Sequence, residues 1–157
     1  MIRKAQPADR SELAAMRALL WPESSLEEQI SEADALLSTG MSGTMPAAIF
    51  VSQNSDGVLT GFVEVGLRSH ADGCDTARPV GFIEGWFVRE EARGRGVGRE
   101  LMRAAEEWCR RQRCRELASD ALIDNEGSQN AHQALGFEVV DRCVHYRKPL
   151  QDSGAIT

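Results

Sequence analysis

A glycine- and arginine-rich segment, Arg-Gly-Arg-Gly-Val-Gly at 93–98, carries the strongest chemical signal in the sequence. It follows an apolar run at 80–88 and precedes residues whose apolar positions recur at helical spacing. Glycines allow successive backbone N–H groups to converge, and the N-terminus of a following helix adds positive potential. Arg93, Arg95 and Arg99 add further positive charge. The segment is therefore predicted to bind a phosphate or pyrophosphate group.

Three phosphate-binding patterns compete for this segment. A Walker A loop requires a Lys-Ser or Lys-Thr pair, which this sequence does not have here. The dinucleotide pattern Gly-x-Gly-x-x-Gly is matched at Gly94 and Gly96, but Arg99 occupies its third glycine. The third pattern, Arg/Gln-x-x-Gly-x-Gly/Ala, is matched completely by Arg93, Gly96 and Gly98. A glycine-rich surface loop without a ligand is the remaining alternative.

Two acidic residues lie on either side of this segment in the chain. Glu84 belongs to the apolar run before it, and Asp120 to the next predicted strand. In a parallel or splayed pair of strands, both carboxylates would line one cleft and could bind a polycation and accept a proton, directly or through water. Because Ile83 and Trp86 are apolar, a carboxylate at Glu84 requires a partner or solvent. The alternatives are an outward-facing polar residue for Glu84 and a turn residue for Asp120.

Periodicity and turn signals predict the elements that position these residues. A first strand at 2–5 precedes an amphipathic helix at 7–20, and a capping box at Ser25 and Glu28 opens a second helix that ends at Gly40. The remaining predicted elements are strands at 47–53, 58–67, 80–88, 116–121, 137–140 and 143–148, a helix that begins at the glycine-rich loop, and a helix at 127–135. Gly85, inside 80–88, indicates a bulge or a close backbone approach. This order predicts an α/β or α+β domain with a mixed sheet at 1–150, followed by a flexible tail at 151–157.

Composition restricts the class of protein further. The chain has 157 residues, 24 acidic and 18 basic, for a net charge of −6. All of that excess lies in residues 1–85, which carry 12 acidic and 6 basic side chains. An acidic balance argues against a nucleic-acid or membrane-surface partner and is compatible with a cationic one, although a solvated acidic surface is the alternative. No apolar run approaches the ~20 residues of a membrane helix, and the N-terminus has no apolar signal region, so we expect a cytoplasmic protein.

Cysteine usage predicts neither disulfides nor a metal. Cys74, Cys109, Cys114 and Cys143 form no Cys-x-x-Cys pair, and no histidine completes a zinc-binding spacing. We therefore expect reduced, mostly structural cysteines and no bound metal.

In this context the third loop pattern resembles the acyl-CoA loop of the GNAT family of N-acetyltransferases. The order of elements is similar to that family over residues 1–148. Within the family, the chain looks most like the aminoglycoside 6′-N-acetyltransferases. The segments that carry this closer likeness are Leu20-Trp21-Pro22, Gly73-Cys74-Asp75, Phe82-Ile83-Glu84-Gly85 with Phe87-Val88, Ala118-Ser119-Asp120, His132-Gln133-Ala134-Leu135-Gly136-Phe137 and Tyr146-Arg147-Lys148.

The resemblance implies a GNAT fold, with splayed parallel strands in a mixed central sheet and flanking helices. It implies transfer of the acetyl group of acetyl-CoA to the 6′-amino group of an aminoglycoside, which would confer antibiotic resistance, by a homodimer. Catalytic and acceptor-site roles are implied for Glu84 and Asp120, and acceptor contacts for Trp21, His70 and, from a neighbouring subunit, Asp141. Coenzyme A contacts are implied for the loop residues Arg93, Gly94, Arg95, Gly96, Val97, Gly98 and Arg99, for Asn125 and His132, and for Phe87 or Val88 as the backbone oxyanion donor.

Several points stay open at the level of sequence. Many members of the family have a tyrosine at the position of His132, as general acid for the leaving thiolate. His132 could take that role or simply contact coenzyme A or solvent, Tyr146 is a second candidate, and water is a third. Trp21 suits a core residue as well as a sugar-contacting one.

The function itself has alternatives. The acceptor could be another small amine, a polyamine or a peptide, and a non-catalytic acyl-CoA-binding module is a different class. A nucleic-acid binder would use the arginine-rich helix at 99–115, but glutamates interleave with those arginines, as on a solvated, salt-bridged face.

Overall fold

The computed structural model describes residues 1–152 and 154. Its helices and strands, in chain order, are β1 (Ile2–Lys4), α1 (Arg10–Leu20), α2 (Leu26–Thr39), β2 (Met41–Ser42), β3 (Met45–Gln53), β4 (Leu59–Arg68), β5 (Val80–Val88), α3 (Val97–Arg111), β6 (Leu117–Ser119) and α4 (Glu126–Ala134). Two single 3₁₀ turns, Pro7–Asp9 and Glu90–Ala92, precede α1 and the glycine-rich loop.

Contacts within the chain group it into two units, 1–120 and 121–157. The limits 1–150 for one domain remain a prediction. Of the predicted tail at 151–157, residues 153 and 155–157 lie outside those that the structure describes.

A six-stranded mixed sheet organises the first unit. Its order is β1-β3-β4-β5-β6, with the short β2 paired to β3. The strands from β1 to β5 pair antiparallel, and β6 pairs parallel with β5. The β3–β4 hairpin turns at Asn54, whose side chain accepts hydrogen bonds from the backbone N–H groups of Asp56 and Val58. The predicted mixed sheet and hairpin are confirmed.

The helices begin and end where local chemistry predicts. Ser25 Oγ accepts a hydrogen bond from the Glu28 N–H, and Gly40 ends α2 in the left-handed conformation at φ 65°. Helix α1 ends at Leu20, before Trp21-Pro22. These boundaries follow from the residues themselves.

The sheet is covered on both faces in the first unit. Phe62 of β4 is fully buried in a cluster with residues of α1 and α2, among them Leu13, Met16 and Leu36. The neighbouring Gly61 lies against Leu101 of α3 instead. Because successive strand residues point to opposite faces, α3 packs on the face away from α1 and α2.

Two sequence predictions are corrected at the end of the chain. The strands predicted at 137–140 and 143–148 are wrong, because no strand is found there. Apolar alternation supports a strand only when a neighbouring strand supplies a ladder and a face to cover. Here Val139, Val140 and Val144 remain more than half exposed. Strand β6 is also shorter than predicted, spanning Leu117–Ser119.

The second unit contains one helix, α4, among its described residues. The Asn125 side chain caps it by accepting a hydrogen bond from the Ser128 N–H at 3.1 Å. The residues after Gly136, which has a φ of 93°, continue without helix or strand over the part that the structure describes.

Candidate active site

A bulge in β5 places Glu84 where β5 and β6 separate. The register of β5 against β4 shifts by one residue, which leaves Glu84 without a cross-strand partner. On the other edge of β5, the parallel pairing with β6 ends at Ile83 and Ser119. Glu84 is the next residue of β5, and Asp120 is the first residue after β6. The two carboxylates predicted from the sequence therefore lie at the same opening in the sheet, and the bulge predicted from Gly85 is confirmed at the adjacent residue, Glu84.

Glu84 has a cationic partner that the sequence did not reveal. Arg68, the last residue of β4, donates from Nε and Nη2 to the two oxygens of Glu84, both at 2.9 Å. The hydrogen bond to Glu84 raises the pKa of Arg68, and the nearby charge of Asp120 adds to the effect. Asp120 itself is exposed.

Trp21 packs against the bulge. A Cβ atom added to Gly85 would lie 2.7 Å from Trp21 Cη2, so only glycine leaves room for the ring at that position. The ring also lies 6.3 Å from Phe62, centroid to centroid, and stays partly exposed. The ring therefore packs with the core, as one interpretation of the sequence has it, and lies against Gly85, the residue after Glu84. Its contact with a sugar stays a prediction.

A buried polar cluster lies against Trp21 and β4. Arg17 of α1 is 3% exposed, and its guanidinium lies 4.7 Å from the Trp21 ring centroid. It donates hydrogen bonds to Glu64 and, at 2.8 Å each, to Gln29 and Glu32. Burial raises the pKa of the Glu64 carboxyl, and the Arg17 guanidinium offsets only part of that effect.

This cluster was missed by sequence reasoning, although a signal existed. Arg17 follows Leu13 by four positions and so falls on the apolar face of α1. Glu64 interrupts an apolar strand between Val63 and Val65. Two opposite charges at core positions indicate that they pair with each other.

The glycine-rich loop has the geometry of an anion site. Gly94 and Gly96 adopt left-handed conformations, with φ of 76° and 82°, and a Cβ at either would meet open space. Gly96 is the N-cap of α3, and no side chain caps the helix there. The first-turn N–H groups, beginning at Val97, thus have no capping side chain. Arg93, Arg95 and Arg99 are exposed around them.

The start of α3 is held close to β5. Trp86 Nε1 donates to the carbonyl oxygen of Gly98 at 3.0 Å, and a Cβ at Gly98 would lie 3.2 Å from the Trp86 ring. Arg93 Nε donates to the carbonyl oxygen of Val88 at 2.9 Å, which ties the loop to the end of the strand.

The backbone of Val88 points away from β4. The next residue, Arg89, donates its N–H to Thr60 of β4 at 2.8 Å. Carbonyl groups and N–H groups of successive strand residues alternate in direction, so the Val88 groups face the side where β6 has already diverged. Phe87 differs, because its carbonyl oxygen lies against Gly61 of β4. Of the two residues considered as oxyanion donors, Val88 has the N–H that faces the opening.

Residues predicted from the resemblance also lie in the β4–β5 connection and in the second unit. His70 is exposed in the connection at 69–79. In the second unit, Asn125 caps α4, and Asp141 is exposed and accepts a hydrogen bond from the Arg142 N–H at 2.7 Å. Tyr146 is 92% exposed.

His132 is fixed within the second unit. Its Nδ1 lies 2.7 Å from the Ser128 carbonyl oxygen, so Nδ1 carries a proton and donates it. The ring also packs edge-on against Phe137, with centroids 5.2 Å apart.

The cysteines are free thiols. Burial raises the pKa of Cys109 to about 12, so this thiol stays protonated and does not act as a nucleophile. Among residues 1–152 and 154, no group of three or more histidine, cysteine or acidic side chains is arranged to hold a metal ion, and no helix is long and apolar enough to span a membrane.

Comparison with known protein families identifies the family of this chain. The model of the acetyltransferase (GNAT) family matches residues 13–137. The chain belongs to the GNAT family. The predicted GNAT fold is confirmed, and this acetyltransferase shares it with solved structures over almost its full length.

Relatives with similar sequences carry a more specific name. The acetyltransferase is 39% identical to the aminoglycoside N(6′)-acetyltransferase type 1 of Stenotrophomonas maltophilia, over 97% of this chain and 95% of that protein. It is 38% identical to the protein of the same name from Klebsiella aerogenes, over 96% and 97% of the two chains. The likeness to aminoglycoside 6′-N-acetyltransferases noted from the sequence is confirmed.

Solved structures agree. AAC(6′)-Iy, in complex with the bisubstrate analogue CoA-S-monomethyl-acetylneamine, superposes with a TM-score of 0.84 at 34% identity, covering 96% of this chain and 98% of that one. The aminoglycoside antibiotic 6′-N-acetyltransferase AAC(6′)-IG from Acinetobacter haemolyticus, solved without ligand, gives a TM-score of 0.84 at 31% identity, with 96% and 99% covered.

Proposed function

We propose that this acetyltransferase moves the acetyl group of acetyl-CoA to the 6′-amino group of aminoglycoside antibiotics and thereby confers resistance. The observation that carries the proposal is the position of Glu84 and Asp120, each the first residue after the last β5–β6 pair. Two carboxylates at an opening beside an anion-binding loop suit a polycationic acceptor that meets an anionic donor. The relatives named above act on that acceptor class by name.

The donor side is formed by the glycine-rich loop. The uncapped first turn of α3 offers N–H groups to the pyrophosphate of coenzyme A, and the open space at Gly94 and Gly96 allows a phosphate to approach the backbone. Arg93, Arg95 and Arg99 supply counter-charge. Asn125 and His132 remain predicted contacts to the same molecule.

The acceptor side is formed by the two carboxylates and Trp21. An amine must lose a proton before it can attack a thioester, and Glu84 or Asp120 can take that proton directly or through water. The partly exposed ring of Trp21 can pack on a sugar face. His70 and Asp141 remain predicted acceptor contacts.

Negative charge develops on the thioester carbonyl oxygen during the reaction, and a hydrogen-bond donor must stabilise it. The Val88 N–H faces the opening, and its direction is fixed by the ties of its neighbours to β4 and to the loop. We assign it this role, because a fixed backbone dipole needs no reorganisation during the reaction. His132, Tyr146 or water then protonates the leaving thiolate.

Product identification tests the function. The protein is incubated with acetyl-CoA and tobramycin, free thiol release is followed, and the product is identified by NMR. We expect a single acetyl group at the 6′-nitrogen. Acetylation at another amine would contradict the regiochemistry, and no turnover across a panel of 6′-amino aminoglycosides would contradict the acceptor class. Turnover of polyamines or peptides instead would establish the alternative acceptor.

A variant pair tests the acceptor site. Asp120→Asn should raise the KM of tobramycin by about tenfold or more, because a charge-assisted hydrogen bond contributes roughly 1.5–3 kcal/mol. The KM of acetyl-CoA should not change. Asp56→Asn removes the same charge from the β3–β4 turn and is the matched control. Equal behaviour of the two variants would contradict the assignment of Asp120.

We also propose a cytoplasmic homodimer. Free thiols at all four cysteines suit a reducing compartment. The exposed apolar side chains of Val139, Val140, Val144 and Leu150 suit a surface that a second copy covers. Sedimentation velocity measures the assembly, and a monomer at all concentrations would contradict it.

A further inference from the structure

Arg68 places a guanidinium cation on the carboxylate that the proposed function assigns to the acceptor. Both hydrogen bonds from the guanidinium to the carboxylate measure 2.9 Å, so the two groups form a bidentate pair. The guanidinium carbon also lies 3.5 Å from the centroid of the Phe82 ring, which supports it from one face. Asp120 is close enough to act on the same guanidinium. The acid assigned to the acceptor is therefore already neutralised by the chain itself.

The pair is accessible to a competing cation. The side chain of Arg68 is 46% exposed and that of Glu84 is 32% exposed. Arg68 ends β4, and exposed residues Ser69 and His70 follow it, so its side chain can turn outward without breaking the β4–β5 ladder. Solvent screens an ion pair that is this exposed, so the attraction of several ammonium groups to two carboxylates can replace it.

We propose that Arg68 is an internal counter-ion of Glu84 that the cationic acceptor displaces when it binds. This inference rests on the proposed function and identifies a residue that sets acceptor affinity at that site. Before the acceptor arrives, the two guanidinium bonds fix the orientation of the Glu84 carboxylate. When it binds, an ammonium group of the acceptor takes the place of the guanidinium, and the stability of the Arg68–Glu84 pair is subtracted from acceptor affinity.

The opposite role, in which Arg68 helps to hold the acceptor, makes the opposite prediction. If Arg68 stayed in place and oriented Glu84 for catalysis, its loss would weaken acceptor binding. If it is displaced, its loss strengthens binding. The sign of the change in acceptor affinity therefore decides between them.

The experiment compares wild type with Arg68→Gln, Arg68→Lys and a control, Arg78→Gln. Arg78 lies in the same β4–β5 connection but faces Asp75 rather than Glu84, at 3.7 Å. Binding of tobramycin is measured by calorimetry without acetyl-CoA, and KM and kcat are measured for both substrates. For Arg68→Gln we expect a tobramycin Kd and KM about threefold lower, from the strength of an exposed ion pair. The KM of acetyl-CoA should be unchanged.

Two further results are expected. Arg68→Lys keeps the positive charge but cannot donate two parallel hydrogen bonds to Glu84, so its tobramycin Kd should lie between those of wild type and Arg68→Gln. The tobramycin Kd of Arg68→Gln should also increase more steeply with ionic strength than that of wild type, because its opening carries one more uncompensated negative charge. Arg78→Gln should bind tobramycin as wild type does.

The outcomes separate this inference from the proposed function. An unchanged or higher tobramycin Kd in Arg68→Gln, in protein whose wild type acetylates tobramycin, would overturn the counter-ion role alone. An equal gain in Arg78→Gln would overturn it too, since the effect would then be general electrostatics. Wild-type protein that neither binds nor acetylates tobramycin would overturn the proposed acceptor together with this inference.

Discussion

The buried pair of Arg17 and Glu64 makes a prediction whose size follows from the structure. Arg17 is 3% exposed and Glu64 is 8% exposed, so neither charge can return to water if its partner is lost. Breaking a buried ion pair costs about 3–5 kcal/mol. Arg17 keeps hydrogen bonds to Gln29 and Glu32 at 2.8 Å, which places Glu64→Gln at the low end. We expect its free energy of unfolding to fall by about 3 kcal/mol.

The matched control uses the other acidic partner of Arg17. Glu32 makes the same kind of contact, but its side chain is 61% exposed. Glu32→Gln should therefore reduce the free energy of unfolding by less than about 1 kcal/mol. Urea unfolding followed by tryptophan fluorescence and by circular dichroism measures both variants.

The pair should also affect binding through Trp21. Since the Arg17 guanidinium lies on the Trp21 ring, Glu64→Gln should raise the KM of the acceptor more than that of acetyl-CoA. A double-mutant cycle with Arg17→Met should give a coupling energy of about 2 kcal/mol, in the range found for contacting residues. A coupling below about 0.5 kcal/mol, or equal losses for Glu64→Gln and Glu32→Gln, would refute the reasoning.

Three other predictions can be checked with the same methods. Gly85→Ala should lower stability by about 1–3 kcal/mol and raise the acceptor KM, because its Cβ would lie 2.7 Å from Trp21 Cη2, whereas the strand control Gly66→Ala, with 3.5 Å of clearance, should be tolerated. Gly96→Ala places a Cβ at φ 82°, costs about 1–2 kcal/mol and should raise the KM of acetyl-CoA but not that of the acceptor; an acceptor effect of equal size would contradict the assignment of the loop. Arg3 Nη1 and Nη2 donate hydrogen bonds to the Asp9 carboxylate at 2.7 and 2.8 Å and lower its pKa. The ion pair therefore stabilises the fold above the unfolded-state pKa of about 3.9, and this stabilisation is lost as the pH falls through the folded-state pKa. Asp9→Asn should therefore be less stable than wild type at pH 7, and the difference between the two urea midpoints should shrink as the pH falls below the unfolded-state pKa; a constant difference across this range would show that the ion pair is not the cause.

Local signals in the sequence were sufficient for much of the fold. The boundaries of β5, the capping box at Ser25 and the stop at Gly40 depend on residues a few positions apart, and all three are found as predicted. Gly85 indicated a bulge or a close approach, and the structure has both: the register shift at Glu84 and the Trp21 ring against Gly85.

Other features depended on contacts that no local pattern contains. Arg68 and Glu84 meet because β4 and β5 pair in one particular register with a one-residue shift. The strands predicted at 137–140 and 143–148 failed for the related reason that alternation of apolar residues does not supply a partner strand. Sequence thus indicated the acids and the loop, whereas the counter-ions of those acids required the tertiary structure.

The unpaired residue in β5 also reverses which layer each following side chain enters. Gly81 lies against Cys109 of α3, whereas Gly85, four positions later, lies against Trp21 beside α1. In an uninterrupted strand these two positions would share a face. The extra residue at position 84 shifts the alternation of side chains by one residue. A one-residue deletion there would therefore exchange the layers that Trp86 and Phe87 enter. Substitutions at Glu84 should be tolerated structurally far better than its deletion, and alignments that place a gap within 81–87 would misassign the faces of the residues that follow.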